Sequence, residues 1–212
     1  MHLLIDLDGT LTDPARGIVG CIRHALDALG IEVAPGERLE RFIGPPLRDT
    51  FRELCGAERD DACIERAVEL YRERFSRIGL YENEVYAGIP QCLAQLRELA
   101  DTMHLATSKP AVYAHRIVAH FELGEFLDGI YGSELDGRLG DKPELIAHIL
   151  EHERFNPAAT RMIGDRRHDV IGARANGLRS IGVLWGYGSR EELIAAGADS
   201  LCPAPTDLPL HL

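Results

Sequence analysis

Two aspartates, Asp6 and Asp8, directly follow the apolar run His2–Ile5 near the start of the chain. The run predicts a short buried strand, which Gly9 and Thr10 then end, so the acidic pair follows the carboxyl end of a strand. Side chains two positions apart share one face if strand geometry persists. Two carboxylates so close need a cation, and Mg²⁺ characteristically binds one or two carboxylates, water and a substrate phosphate. The pair therefore predicts a hard divalent cation and chemistry on a phosphate group.

Three further polar features end later predicted strands or begin the helices after them. They are Thr107-Ser108-Lys109, Lys142, and Gly164-Asp165 with Asp169. The carboxyl ends of parallel strands meet along one edge of a sheet, and ligands bind at that edge in open α/β folds. We therefore expect these side chains to gather around the acidic pair.

A phosphate monoester held at this edge could be cleaved in two steps. One carboxylate would attack phosphorus in line while a metal neutralises the charge of the transferring group. The other would protonate the leaving alkoxide and later deprotonate the water that breaks the acyl phosphate. Lys142 would supply positive charge, and Thr107 with nearby N–H groups would hold the non-bridging oxygens. Asp165 is a further candidate metal ligand.

Each of these features alone has a simpler interpretation. An Asp-x-Asp-Gly sequence is often only a turn or a calcium-type loop, and Thr-Ser-Lys usually caps a helix. A single lysine is usually a solvated side chain, and a Gly-Asp pair is often a tight turn. Their occurrence together, in this order and each at a strand-to-helix junction, favours a catalytic site.

The elements that must position these residues alternate after Tyr86. Helices are predicted near 89–100, 111–121, 143–153, 169–175 and 190–196, and strands at 103–107, 130–131, 161–163 and 180–184. Regular alternation predicts an α/β fold with a mostly parallel sheet between layers of helices. Residues 14–83 show only helical spacing and loops, which predicts an all-helical insertion after the first strand. The predicted catalytic core is thus 1–13 with 84–212.

The composition limits the partners that this chain could have. Its 212 residues include 34 acidic and 23 basic ones, for a formal net charge of -11 at pH 7, and no dense Lys/Arg block, so nucleic acid is not an expected partner. An acidic surface repels anions, so a buried lysine, N–H groups or a cation must bind them. Five cysteines without a Cys-x-x-Cys pair, and no long apolar segment, predict a cytoplasmic protein with reduced thiols and no membrane partner. We also expect a monomer or a weak homodimer.

The same motifs resemble the haloacid dehalogenase superfamily over essentially the whole chain. The residues that carry the resemblance are Asp6-Leu7-Asp8-Gly9-Thr10, Thr107, Lys142, and Gly164-Asp165 with Asp169. The resemblance implies that Asp6 is the nucleophile, that Asp8 is the general acid/base, and that Thr107 and Lys142 complete the catalytic set. The phosphate-binding residues that it implies are Asp8, Gly9, Thr107, Ser108 and Lys142.

The resemblance also implies a metal site and a mobile domain. Mg²⁺ would be bound by the Asp6 carboxylate, the Asp8 main-chain carbonyl and the Asp165 carboxylate, with Asp169 in support through water or hydrogen bonds. The insertion 14–83 corresponds to the cap that covers the active site on a Rossmannoid three-layer core in this superfamily. Dehalogenases of the superfamily lack an aspartate at the place of Asp8, which favours a phosphatase or a phosphomutase.

A finer likeness concerns the substrate. Residues 42–47, 79–83, 164–173 and 186–189 resemble bacterial 5'-nucleotidase-like members of the superfamily, relatives of the phosphoglycolate phosphatases. We therefore expect a magnesium-dependent phosphate monoester hydrolase that acts through a phosphoaspartate, with a nucleoside 5'-monophosphate as first-choice substrate. Phosphoglycolate is the alternative substrate, and a sugar phosphomutase or a non-catalytic phosphate-binding regulator are less favoured alternatives.

Overall fold

A computed structural model describes residues 1–56 and 59–212 of the chain. It divides into two compact units, a core formed by Met1–Asp13 with Val85–Leu212 and an insertion, Pro14–Glu84. The insertion predicted from the sequence, 14–83, includes residues 57 and 58, which lie outside the described residues. Each unit is described by itself below.

The core begins with strand β1 (His2–Ile5) and the two-residue strand β2 (Thr12–Asp13). Leu3, Leu4 and Ile5 are all fully buried. A run of consecutive apolar side chains is typical of a strand that is covered on both faces, as parallel sheets are. Because this buried run directly precedes Asp6, it places Asp6 at the end of a strand that lies inside the core.

The insertion contains helices α1 (Ala15–Ala28), α2 (Leu47–Cys55) and α3 (Asp61–Arg74). Helix α1 buries one face, as its apolar spacing predicts. Gly30 follows it with a φ of +64°, the left-handed conformation that glycine adopts without a Cβ penalty. Helix α2 was not predicted, because nine residues that begin after Gly-Pro-Pro give too short a pattern to separate from a loop.

The rest of the core alternates strands and helices, as the sequence predicts. Its elements in chain order are β3 (Glu84–Val85), α4 (Ile89–Leu99), β4 (Thr102–Pro110), α5 (Ala111–His120), β5 (Gly129–Ser133), α6 (Lys142–Glu153), β6 (Thr160–Gly164), α7 (Arg167–Ala175), β7 (Arg179–Val183), α8 (Arg190–Ala196) and β8 (Ser200–Cys202). A 3₁₀ helix, Pro205–His211, ends the core. Strand β8 and this 3₁₀ helix were not predicted, because each is short and prolines flank or interrupt them.

Six strands form one parallel sheet in the order β5-β4-β1-β6-β7-β8. The predicted α/β fold with a mostly parallel sheet is therefore confirmed. Strand β1 lies between β4 and β6, with His2 opposite both Thr102 and Thr160. This order brings the carboxyl ends of the three strands that carry Asp6, Thr107 and Asp165 side by side.

A hydrophobic cluster fixes helix α6 against the sheet. The buried residues of the cluster are Leu4, Ala106, Leu145, Ile146, Ile149, Met162, Ala173 and Leu178. Since three of them belong to α6, the first residue of that helix, Lys142, is held beside the central strands. Within the described ranges, none of the helices combines the length and the apolar character that a membrane crossing requires.

Candidate active site

Asp6 and Lys142 form the centre of the candidate site. The Asp6 N–H donates to the Ile163 carbonyl of β6 at 2.9 Å, which continues the ladder one residue beyond β1. Lys142 Nζ lies 2.9 Å from Asp6 Oδ1 and 2.6 Å from Asp169 Oδ1, and it donates to the Ala106 carbonyl at 2.7 Å. Burial lowers the pKa of Lys142, but the charges of Asp169 and Asp6 outweigh it and raise that pKa above its ordinary value. The lysine is therefore a cation that holds two carboxylates.

Three buried aspartates, Asp6, Asp165 and Asp169, form an acidic cluster in which one carboxylate oxygen from each residue lies within 4.8 Å of those from the other two. Burial raises the pKa of Asp165 well above its usual range, and the charges of Asp169 and Asp6 add to this effect. Burial likewise raises the pKa of Asp169, although Lys142 opposes it. An all-oxygen set of carboxylates at this spacing fits a hard divalent cation such as Mg²⁺.

Main-chain groups and glycines fix Asp165. Its Oδ2 accepts a hydrogen bond from the Tyr187 N–H at 2.7 Å, and Thr10 Oγ1 lies 3.5 Å from its Oδ1. A Cβ atom at Gly9 or at Gly186 would overlap the Asp165 carboxylate. Both loops therefore need glycine in order to pack directly against this side chain. The glycines after β7 carried a resemblance in the sequence, but their contact with Asp165 was not predicted.

Asp8 pairs with Lys109, which the sequence places at this edge of the sheet without indicating a role for it. Lys109 Nζ lies 2.6 Å from Asp8 Oδ2, and the two side chains are 7% and 13% exposed, respectively. The other oxygen, Oδ1, is buried and has no hydrogen-bond partner among residues 1–56 and 59–212. Burial raises the pKa of Asp8, while the Lys109 ammonium group acts to lower it.

The expectation that the Asp6 and Asp8 carboxylates share one divalent cation stays a prediction. Each pairs with its own lysine, Asp6 with Lys142 and Asp8 with Lys109. Strand β1 ends at Ile5, so the alternation of a strand no longer applies to these two positions.

Strand β4 is irregular near its carboxyl end, where Lys109 lies. Thr107 is in register with β5, but the next pair joins Pro110 to Ser133, so β4 holds two extra residues, Ser108 and Lys109. The Lys109 N–H donates to Thr107 Oγ1 at 3.2 Å, and Ser133 Oγ donates to the Ser108 carbonyl at 2.8 Å. Bulges of this kind turn side chains away from the regular alternation. Thr107, which is buried, and Lys109 thus lie at the same edge of the sheet.

Two other predicted residues have defined local partners. The Gly9 N–H donates to the Thr12 carbonyl at 2.8 Å, in a tight turn where Gly9 has a φ of +83°. For the Gly9 N–H to bind phosphate, as predicted, it would therefore have to give up its hydrogen bond to the Thr12 carbonyl. Asp169 Oδ2 accepts from the Arg166 N–H at 3.1 Å, which caps the start of α7 and orients the carboxylate.

The site lies within a chain that matches a known sequence family. Residues 3–183 match the family described as haloacid dehalogenase-like hydrolase. The chain belongs to this family. The haloacid dehalogenase resemblance that the sequence suggested is thereby confirmed.

Relatives within the haloacid dehalogenase-like hydrolases indicate which class of enzyme this chain is. Over 201 residues the chain is 47% identical to the 5'-nucleotidase of Pseudomonas aeruginosa, covering 95% of this chain and 90% of that relative. A crystal structure described as a predicted phosphatase from Clostridium acetobutylicum matches with a TM-score of 0.92 and 40% identity over 100% of this chain and 98% of the other. The chain is therefore a phosphatase of the haloacid dehalogenase superfamily, and it is 5'-nucleotidase-like.

Another relative carries a different name. The chain is 40% identical over 186 residues to the tyrosine-protein kinase PtkA of Mycobacterium tuberculosis, covering 88% of this chain. It spans only 62% of the length of that relative.

Proposed function

We propose that this phosphatase hydrolyses phosphate monoesters in a magnesium-dependent reaction through a phosphoaspartate at Asp6, with nucleoside 5'-monophosphates as preferred substrates. The observation that carries the proposal is the contact of Asp6 with the buried Lys142, next to the acidic cluster. A carboxylate nucleophile needs no activating base, but it needs positive charge nearby to meet an anionic substrate.

Mg²⁺ would be held by the Asp6 and Asp165 carboxylates and the Asp8 main-chain carbonyl, with Asp169 in support. When bound, the ion neutralises negative charge on the transferring phosphoryl group. With Asp8 protonated for the first step, the three remaining aspartates of the site outnumber its two buried lysines by one. A divalent cation would therefore make the site positive before the anionic substrate binds.

In the first proposed step, an Asp6 carboxylate oxygen attacks phosphorus and forms an O–P bond. The P–O bond to the leaving group breaks, and its electron pair remains on the leaving oxygen, which takes a proton from Asp8. Lys142 keeps the Asp6 carboxylate in place and supplies fixed positive charge. Thr107 and Ser108 lie at the same edge to contact the non-bridging oxygens.

In the second proposed step, water attacks the phosphorus of the phosphoaspartate. The water gives its proton to Asp8, which the first step left as a carboxylate, and the P–O bond to Asp6 breaks. Inorganic phosphate leaves, and the Asp6 carboxylate and the protonated Asp8 are restored. Asp8 thus returns to its starting state in each cycle.

A second candidate reaction is transfer of a phosphoryl group from ATP to a tyrosine hydroxyl. The 40% identity to PtkA favours including it. A hydroxyl acceptor would replace water in the second step. Because the chain spans 62% of that relative, we rank this reaction below hydrolysis.

The test is phosphate release from nucleoside 5'-monophosphates, phosphoglycolate and sugar phosphates, with Mg²⁺ or with EDTA, ranked by kcat/KM. ATP with a tyrosine peptide tests the kinase reaction. We expect the nucleotides to rank first and EDTA to abolish turnover. Asp6→Asn should lower kcat at least about 10³-fold, because the amide is not a nucleophile. Asp27→Asn, at an exposed position of α1, is the matched control.

Undiminished phosphate release by Asp6→Asn would contradict the phosphoaspartate mechanism. Turnover that persists in EDTA would contradict the dependence on magnesium. A requirement for a bisphosphate activator would favour a phosphomutase instead.

A further inference from the structure

We infer that Lys109 is a positioning residue that anchors one oxygen of the Asp8 carboxylate and thereby keeps the other oxygen available for proton transfer. This inference rests on the proposed function, in which Asp8 is the acid/base. Lys109 pairs with Asp8, whereas Lys142 pairs with Asp6 and Asp169.

The two oxygens of Asp8 have different surroundings. Oδ2 lies 2.6 Å from Lys109 Nζ, whereas Oδ1 is buried without a hydrogen-bond partner in the part of the chain that the structure describes. A buried acceptor that lacks a partner costs free energy, so it is retained where a partner arrives with a ligand. The leaving-group oxygen in the first step, and water in the second, are such partners.

Lys109 is well placed to act as a fixed anchor. It lies in the two-residue irregularity of β4, where its own N–H donates to Thr107 Oγ1. Its side chain is only 7% exposed, which excludes most of the motion that a surface lysine has.

If Lys109 acts through Asp8, its replacement should affect each phosphate ester according to how much the leaving group needs a proton. When the P–O bond breaks, an alkoxide needs the proton from Asp8, but a p-nitrophenolate is stable without it. A residue that positions Asp8 should therefore affect alkyl phosphates far more than p-nitrophenyl phosphate. A residue that only binds the phosphate group should affect both classes equally, because that group is common to them.

The experiment compares the wild type with Lys109→Met and Lys109→Arg, using kcat/KM for a nucleoside 5'-monophosphate and for p-nitrophenyl phosphate. We expect Lys109→Met to lower kcat/KM for the nucleotide about 10²-fold and for the aryl ester less than about tenfold. Lys109→Arg, which keeps the charge, should recover part of the loss. Equal losses for the two esters would overturn the inference. Lys109→Gln repeats the measurement if Lys109→Met does not fold.

A double-mutant cycle with Asp8→Asn gives an independent result. If Lys109 acts through Asp8, then Lys109→Met should cause little further loss for the nucleotide in the Asp8→Asn background. Fully additive losses would overturn the inference. If the wild type hydrolyses neither ester with Mg²⁺, the proposed function itself fails and the inference with it. If the wild type is active but the losses are equal, only the role of Lys109 fails.

Discussion

Lys142 Nζ lies 2.6 Å from Asp169 Oδ1, and the two side chains are 3% and 2% exposed. Removal of one partner from such a pair leaves an uncompensated buried charge. We expect Lys142→Met to lower the free energy of unfolding by about 3–5 kcal/mol in urea denaturation without Mg²⁺. It should also abolish turnover, because Asp6 loses its cation.

The matched control is the double variant Lys142→Met with Asp169→Asn. It removes both charges of the pair and leaves only Asp6 without its cation, so it should regain part of the stability while it stays inactive. Equal instability of the single and double variants would show that the lost charge balance is not the cause.

Asp165 should stabilise the fold only when a cation is bound. Burial and the charges of Asp169 and Asp6 raise its pKa well above the usual range, so its carboxylate is unfavourable in the metal-free protein. We expect Asp165→Asn to raise the metal-free Tm by about 2–4 °C, which corresponds to about 1 kcal/mol in a chain of this size. The rise in Tm that Mg²⁺ causes in the wild type should disappear. Thermal unfolding with and without Mg²⁺ measures both effects.

The exposed Asp27→Asn should keep the full Tm response to Mg²⁺. If Asp165→Asn also kept the full rise in Tm with Mg²⁺, Asp165 would be excluded as a metal ligand.

Gly186 tests the close packing around Asp165. A Cβ atom there would overlap the Gly9 carbonyl and the Asp165 side chain. We expect Gly186→Ala to raise the Mg²⁺ concentration needed for half-maximal activity at least about tenfold, because the substitution displaces this carboxylate. This change corresponds to a loss on the order of 1.4 kcal/mol in binding free energy. Magnesium titration of phosphate release measures the change. Gly124→Ala, where a Cβ would meet only Val118 at 3.6 Å, is the control and should behave as the wild type.

The sequence predicts much of the catalytic edge. The strands that carry Asp6, Thr107 and Asp165 are apolar runs ended by polar residues, and parallel topology then brings those ends together. The positions of Asp6, Thr107 and Asp165 at this edge can therefore be predicted from the pattern of apolar residues alone. The order of β1, β4 and β6 in the sheet was not predicted and is known from the structure.

The contacts within that edge could not be predicted in the same way. The contact of Lys109 with Asp8 lies where β4 contains two extra residues, and periodicity does not show where a strand departs from regular pairing. The packing of Gly186 against Asp165 joins two loops that are distant in sequence. Such contacts depend on loop geometry, which hydrophobic spacing does not determine.

The buried His104 of β4 should make stability depend on pH. Burial lowers the pKa of its ring below the ordinary value of 6.5, with His2 and Arg97 acting in the same direction and Glu153 and Asp128 opposing them. The unfolded chain therefore takes up a proton at a higher pH than the folded chain. The stability that neutral His104 contributes is complete above pH 6.5 and is lost as the pH falls below it.

The measurement is the free energy of unfolding of the wild type, His104→Gln and His24→Gln between pH 7.5 and about pH 5. His104→Gln removes the titrating ring, so its stability should fall less steeply with decreasing pH. His24 is exposed on α1, and its replacement should leave the slope unchanged. Parallel curves for the wild type and His104→Gln would contradict the assignment to His104.

The central position of β1 has a consequence for how this enzyme comes to be active. Its hydrogen-bonding partners, β4 and β6, lie about 100 and about 160 residues later in the chain. Pairing over such separations is slow, and until it occurs the apolar side chains of β1 lack their cover. Asp6, the proposed nucleophile, thus acquires its surroundings only when most of the core has been assembled. Recovery of phosphate release during refolding should therefore report the last stage of sheet assembly, and chaperones that shield an unpaired strand should increase its yield.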